Sequence, residues 1–78
     1  KKYKNFSIIV ANTLFVLSAI KKTPGISTRE LAEKLEVSER SVQRYIETLR
    51  IAGEWIGYDT ALKGWKLSVG KSVLWDDF

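Results

Sequence analysis

The 78-residue chain contains no cysteine and no histidine. No disulfide can staple the fold, and no Cys/His zinc site can form. A histidine-based triad, a cysteine nucleophile and a histidine acid/base are excluded with them. Absent thiols fit a reducing compartment, and the cytoplasm is the expected location. There is no Gly-rich phosphate loop. Asp76-Asp77 offers adjacent acids in a tail rather than a convergent pair, so no enzymatic activity and no cofactor or metal is expected. Methionine is missing even at position 1. The chain is therefore expected to be a domain cut from a longer protein.

What remains is ordinary for a globular domain. Hydrophobic residues make up 45% and charged residues 28%, which argues against disorder. A chain this short is one domain, expected over residues 1–78, and buries only about 60–65% of its unfolded surface. Thirteen Lys+Arg stand against nine Asp+Glu, a net +4. That balance favours an anionic partner, of which nucleic acid is the commonest.

Asn5 to Ile20 carries no charge and is flanked by Lys1, Lys2 and Lys4 on one side and Lys21 and Lys22 on the other. A membrane span needs about 18 or more apolar residues, and this run is shorter and interrupted by Asn5, Ser7, Asn12, Thr13 and Ser18. A secretory signal would place small residues after it, where Lys21, Lys22 and Pro24 stand. The run reads as a helix buried on more than one face. Phe6, Val10, Leu14, Leu17 and Ile20 form one stripe, while Ile9, Val16 and Ile20 lean to another. One face is expected in the domain's own core and the other against a partner chain.

Pro24 and Gly25 stop this helix, and Ile26 follows as a lone extended residue plugging the core. Ser27-Thr28-Arg29-Glu30 fits the capping box of a second helix of roughly eight residues, with Leu31, Ala32 and Leu35 inward. Ser38 is the next N-cap. Behind it Val42, Ile46 and Leu49 recur at helical spacing, up to a C-terminal Gly53 in the left-handed region. Arg40, Arg44 and Glu47 fall nearly opposite that apolar stripe, with Gln43 and Ser41 on the two edges. The period then changes to two. Glu54 to Tyr58 and Trp65 to Val69 read as a hairpin around a loop of about six residues, Asp59 to Gly64. The tail from Gly70 to Phe78, with Val73, Leu74, Trp75 and Phe78, is read as an extra strand or helix or as the start of a further region.

Three helices and a hairpin predict a mainly α fold with a small β part, a winged helix-turn-helix. Ala32 allows close helix crossing, and Val37 inserts at the turn. The combination Ile26-Ser27, Glu30-Leu31-Ala32, Leu35, Val37-Ser38, Val42, Arg44, Ile46, Leu49 and Gly53, closed by Gly64-Trp65-Lys66-Leu67, resembles the biotin repressor N-terminal domain. It is also similar to the N-terminal domains of DeoR-like and WYL-domain regulators. Two positions depart from that pattern. Glu36 stands where the family often has Gly, at a cost of about 1 kcal/mol if the backbone is left-handed there. Tyr45 stands where DeoR-like members usually carry an acid.

The resemblance implies a transcriptional regulator module that binds double-stranded DNA. Helix 39–52 would enter the major groove, and the wing at 59–64 would meet the backbone or minor groove. Arg40 and Arg44 are candidates for guanine or phosphate, and Gln43 for adenine. Ser38 and Ser41 would meet phosphate at the helix start. Thr28, Arg29, Lys63 and Lys66 are candidates for the DNA backbone. Trp55, Tyr58 and Trp65 read as structural aromatics rather than base-stacking platforms. A homodimer on an inverted repeat is expected, joined through helix 5–20 or the 73–78 tail. The alternative is a winged helix used for protein–protein assembly without DNA.

Overall fold

The computed structural model describes residues 2–74, with side chains described from Ser7 onward. The elements are α1 (Lys2–Lys22), α2 (Thr28–Leu35), α3 (Glu39–Ala52), β1 (Ile56–Asp59) and β2 (Gly64–Leu67). The strands pair antiparallel, with Ile56 opposite Leu67 and Tyr58 opposite Trp65. The fold is a winged helix-turn-helix: three helices followed by an antiparallel two-stranded hairpin.

Each boundary has a local cause. Ser27 accepts from the Glu30 N–H at 3.0 Å, and the Glu30 carboxylate accepts from the Ser27 N–H at 2.9 Å, closing the capping box. Ser38 accepts from the Ser41 N–H at 3.1 Å and starts α3. Between the two helices Glu36 adopts φ 58°, ψ 44°, the left-handed conformation that a glycine takes without strain. Its strain is accepted because the Val37 N–H then reaches the Ala32 carbonyl at 3.0 Å and folds half-buried Val37 onto the core. Gly53 ends α3 at φ 122°, ψ −1°, positive as expected but outside the left-handed helical region.

The core is assembled from Val16, Leu17 and Ile20 of α1, Leu31 and Ala32 of α2, Val42, Ile46 and Leu49 of α3, and Ile26, Ile56 and Leu67. Ile26 plugs it as anticipated and does so through a β-bridge to Trp65. The Trp65 N–H donates to the Ile26 carbonyl, and the Gly25 N–H donates to the Trp65 carbonyl, both at 2.8 Å. Two main-chain bonds thereby tie the wing to the α1–α2 connection.

Three expectations are corrected. The inward face of α1 is Thr13, Val16, Leu17 and Ile20, not a stripe through Val10, which is 41% exposed. Thr13 can point inward because its hydroxyl donates to the Ile9 carbonyl at 2.8 Å. Phe6 lies outside the described side chains. Second, α1 begins earlier and ends later than Asn5–Ile20, at Lys2 and Lys22. Third, the strands are Ile56–Asp59 and Gly64–Leu67, so the loop between them is Thr60–Lys63 rather than six residues. Glu54 and Trp55 precede the first strand, and Ser68 and Val69 follow the second.

Among the described residues the tail forms turns and bends, not a strand or helix. Glu54 anchors it. The buried Glu54 carboxylate accepts from the Ser72 hydroxyl and from the N–H groups of Val73 (2.9 Å) and Leu74 (3.1 Å). Trp75 to Phe78 lie outside the described residues. Among the described residues no helix is long and apolar enough to cross a membrane.

Candidate nucleic-acid interface

The buried stripe Val42–Ile46–Leu49 fixes the rotation of α3, and that rotation decides what faces out. Arg40, Gln43, Arg44 and Glu47 are exposed, and Ser41 is half-buried at the edge, as their spacing requires. Arg40 and Arg44 stand one turn apart, about 6 Å along the axis. Among the described residues neither is ion-paired, and the acids at 36, 39 and 47 leave both guanidinium groups open.

The remaining sequence candidates fare differently. The Ser38 hydroxyl accepts from the Ser41 N–H and donates to the Ser41 hydroxyl at 3.1 Å, so it is committed to capping. Only its backbone and the helix N-terminus remain to meet an anion. Arg29 is exposed and 3.5 Å from Glu33 in an i,i+4 pair, open to water on both sides and worth little. Lys63 is exposed at the tip of the wing, with φ 58°. Lys66 is 3.0 Å from Asp59, which reduces the free charge the wing can offer.

Asp59 is the wing's organiser. Its carboxylate accepts from the Leu62 N–H at 2.9 Å, which folds the loop back on itself. That bond first, and Lys66 second, hold its pKa below the usual carboxylate value. At the start of α2, Glu30 is lowered likewise, chiefly by the Ser27 N–H it accepts from.

Thr28 has a role that local patterns do not disclose. The Trp65 indole N–H donates to its hydroxyl oxygen at 2.8 Å. Trp65 also meets Tyr58 edge-on, with ring centroids 5.3 Å apart and planes at 80°. The first residue of α2 and the second strand of the wing are thus one unit, which holds the hairpin at a set distance from α3. Trp65 is structural, as anticipated, whereas Trp55 and Tyr58 are exposed. Tyr45 is also explained. Its hydroxyl accepts from the Asn12 amide at 3.3 Å and links α3 to α1. An open groove of about 250 Å³ runs beside it, lined by Ile9, Ser41, Arg44, Tyr45 and Thr48.

A tight α2–α3 turn, an exposed basic edge on the second of those helices and a braced hairpin behind it define a winged helix-turn-helix module, whose second helix is the element that enters the major groove in this class. The family model described as HTH domain matches residues 12–59, more than half of the chain, and the chain belongs to that family of DNA-binding regulator domains. The likeness expected from Ile26 to Leu67 is consistent with it. No curated protein and no solved structure matches the chain.

Proposed function

We propose that residues 1–78 act as one domain that binds double-stranded DNA sequence-specifically, as a module of a transcriptional regulator. Helix α3 lies in the major groove, which at about 12 Å admits one helix. Arg44 and Arg40 fork onto guanine O6/N7 or clamp phosphate, and Gln43 pairs with adenine. Ser41, together with the Ser38 end of α3, meets a phosphate, while Thr28 and Arg29 approach the backbone from α2. The Thr60–Lys63 loop reaches the backbone or minor groove through Lys63, with Lys66 as a second contact once it leaves Asp59. The domain acts as a homodimer on an inverted repeat, because one helix reads only a few base pairs.

One observation carries this reading: Arg40, Gln43 and Arg44 share the solvent-open edge of a helix whose other side is locked into the core. The test is in vitro selection of bound duplexes from a random library. Enrichment of a palindromic motif supports the reading. Recovery of unenriched sequence, with affinity the same for every duplex, refutes it.

A further inference from the structure

Most acids among the described residues have a structural task. Glu30, Glu54 and Asp59 accept from main-chain N–H groups, and Glu33 pairs with Arg29. Glu39 stands in the first turn of α3, where the helix dipole favours an anion. Glu47 has no such task. It is exposed and lies in the C-terminal half of α3, beyond the reach of the N-terminal dipole. Arg44 and Arg50 each stand one turn away, yet among the described residues Glu47 is ion-paired with neither.

Its place on the helix is equally particular. At about 100° per residue, Glu47 lies roughly 20° from Arg40 and roughly 60° from Arg44, on the midline of the outward face. Arg40, Gln43, Arg44 and Glu47 occupy positions i, i+3, i+4 and i+7. That is the spacing at which a helix lying in the major groove presents side chains to base edges. Three of these four side chains are already candidates for base contact, and the fourth is an anion on a surface that meets a polyanion. Electrostatics alone disfavours it there. Midway across a groove about 12 Å wide, a carboxylate is repelled by both phosphate backbones. It gains only where it accepts a hydrogen bond, and the donors on major-groove base edges are cytosine N4 and adenine N6. Adenine N6 stands beside the N7 acceptor, which repels a carboxylate, whereas cytosine offers its donor alone.

We propose that Glu47 is a specificity-determining residue of α3, its carboxylate accepting from the N4 amino group of a cytosine, a role that rests on the DNA-binding reading. Glu47 lies about 4.5 Å along the helix from Arg44, against ~3.4 Å between stacked base pairs. The cytosine therefore falls within two base pairs of the base that Arg44 meets. Glu47 contributes selectivity rather than affinity, because the charge that accepts from cytosine weakens binding to every other sequence.

The test uses the duplex motif selected by the wild-type domain, with each base pair changed singly at one fixed salt concentration. Glu47→Ala and Glu47→Gln are compared with the wild type and with Arg44→Ala, and circular dichroism confirms that each variant keeps its helix content. The wild type should prefer C·G at one position of the half-site by roughly 5- to 150-fold. Glu47→Ala should lose that preference and retain the one that Arg44→Ala removes. It should also bind random duplex at least about twofold more tightly at about 50 mM salt, a gain that shrinks at about 200 mM. Glu47→Gln, which carries a donor beside its acceptor, should move the preference at that position toward adenine. If Glu47→Ala leaves every position unchanged, Glu47 is a solvated charge and the proposal is overturned, while the selected motif keeps the DNA-binding reading standing. If its losses fall only on the position of Arg44, Glu47 orients that guanidinium and reads no base, which overturns the proposal as well. A wild type that binds all duplexes alike sinks the DNA-binding reading itself, and the role of Glu47 with it.

Discussion

Gly64 is the position at which one methyl group should do the most damage. A Cβ built there would sit 1.8 Å from the Gly25 carbonyl oxygen and 2.2 Å from its carbon, with the Ile26 oxygen at 2.7 Å. All three are main-chain atoms and cannot rotate away. Relief requires the wing to part from the Gly25–Ile26 segment. That breaks the two 2.8 Å bonds linking Trp65 with Gly25 and Ile26 and withdraws Ile26 from the core. Two backbone bonds at about 0.5–1.5 kcal/mol each, and part of the roughly 1.5–3 kcal/mol for a buried isoleucine, put Gly64→Ala at about 3 kcal/mol or more. A domain of this length has roughly 4–12 kcal/mol in total. At about 4–8 °C per kcal/mol the melting temperature should fall by about 12 °C or more. Gly57→Ala is the control, since its Cβ would meet only the Ser68 hydroxyl at 3.0 Å, on a side chain that can turn. Thermal and urea unfolding followed by circular dichroism measure both. If Gly64→Ala costs less than about 1 kcal/mol, within the ordinary range for a point mutant, the close approach of wing and connection is wrong.

Other changes test separate parts of the same structure. Glu36→Gly removes a left-handed strain of about 1–2 kcal/mol and loses part of it to the freer unfolded chain. The net expectation is about 0.5–1 kcal/mol of added stability by urea unfolding, and a loss would contradict the turn geometry. Glu54→Ala leaves the Ser72 hydroxyl and two N–H groups without their acceptor. It should cost about 2–4 kcal/mol, reduced from the full sum because water reaches Val73 and Leu74; a change under about 0.5 kcal/mol would mean that the clasp holds nothing. Glu30 and Asp59 have folded pKa values below their unfolded ones. Their contribution is complete above the unfolded values and is lost as pH falls through the folded ones, so stability should decline below about pH 5. Glu30→Gln, which removes the titrating carboxylate, should shrink that decline, and a melting temperature equal at pH 6 and pH 3 would contradict it.

Much of the fold is written locally and could be read from the sequence. The capping box at Ser27, the cap at Ser38, the apolar spacing of Val42, Ile46 and Leu49, and the glycine after α3 all act over a few residues. The outward face of α3 followed from the inward one, which is why Arg40, Gln43 and Arg44 were found. The rotation of α1 was not legible. Between Asn5 and Ile20 every face is apolar or neutral, so periodicity has no polar side to set against the core. A threonine bonded to its own helix passes for an apolar residue there. Contacts between distant residues were hidden for another reason. The Trp65–Thr28 bond and the Glu54 clasp join positions 37 and 18–20 residues apart. A single acid such as Glu54 reads as surface until the chain that covers it is in place. The Lys66–Asp59 pair is likewise a product of hairpin register rather than of spacing.

The most direct test of the recognition edge is the specificity profile of Arg44→Ala. Binding of the wild-type and variant domains would be measured against every single base-pair change in the selected operator, at one fixed salt concentration. If Arg44 reads a base, the variant loses discrimination of about 1–3 kcal/mol at one position in each half-site and keeps it elsewhere. A variant with an unaltered profile and unaltered affinity would show that the exposed edge of α3 does not enter the groove.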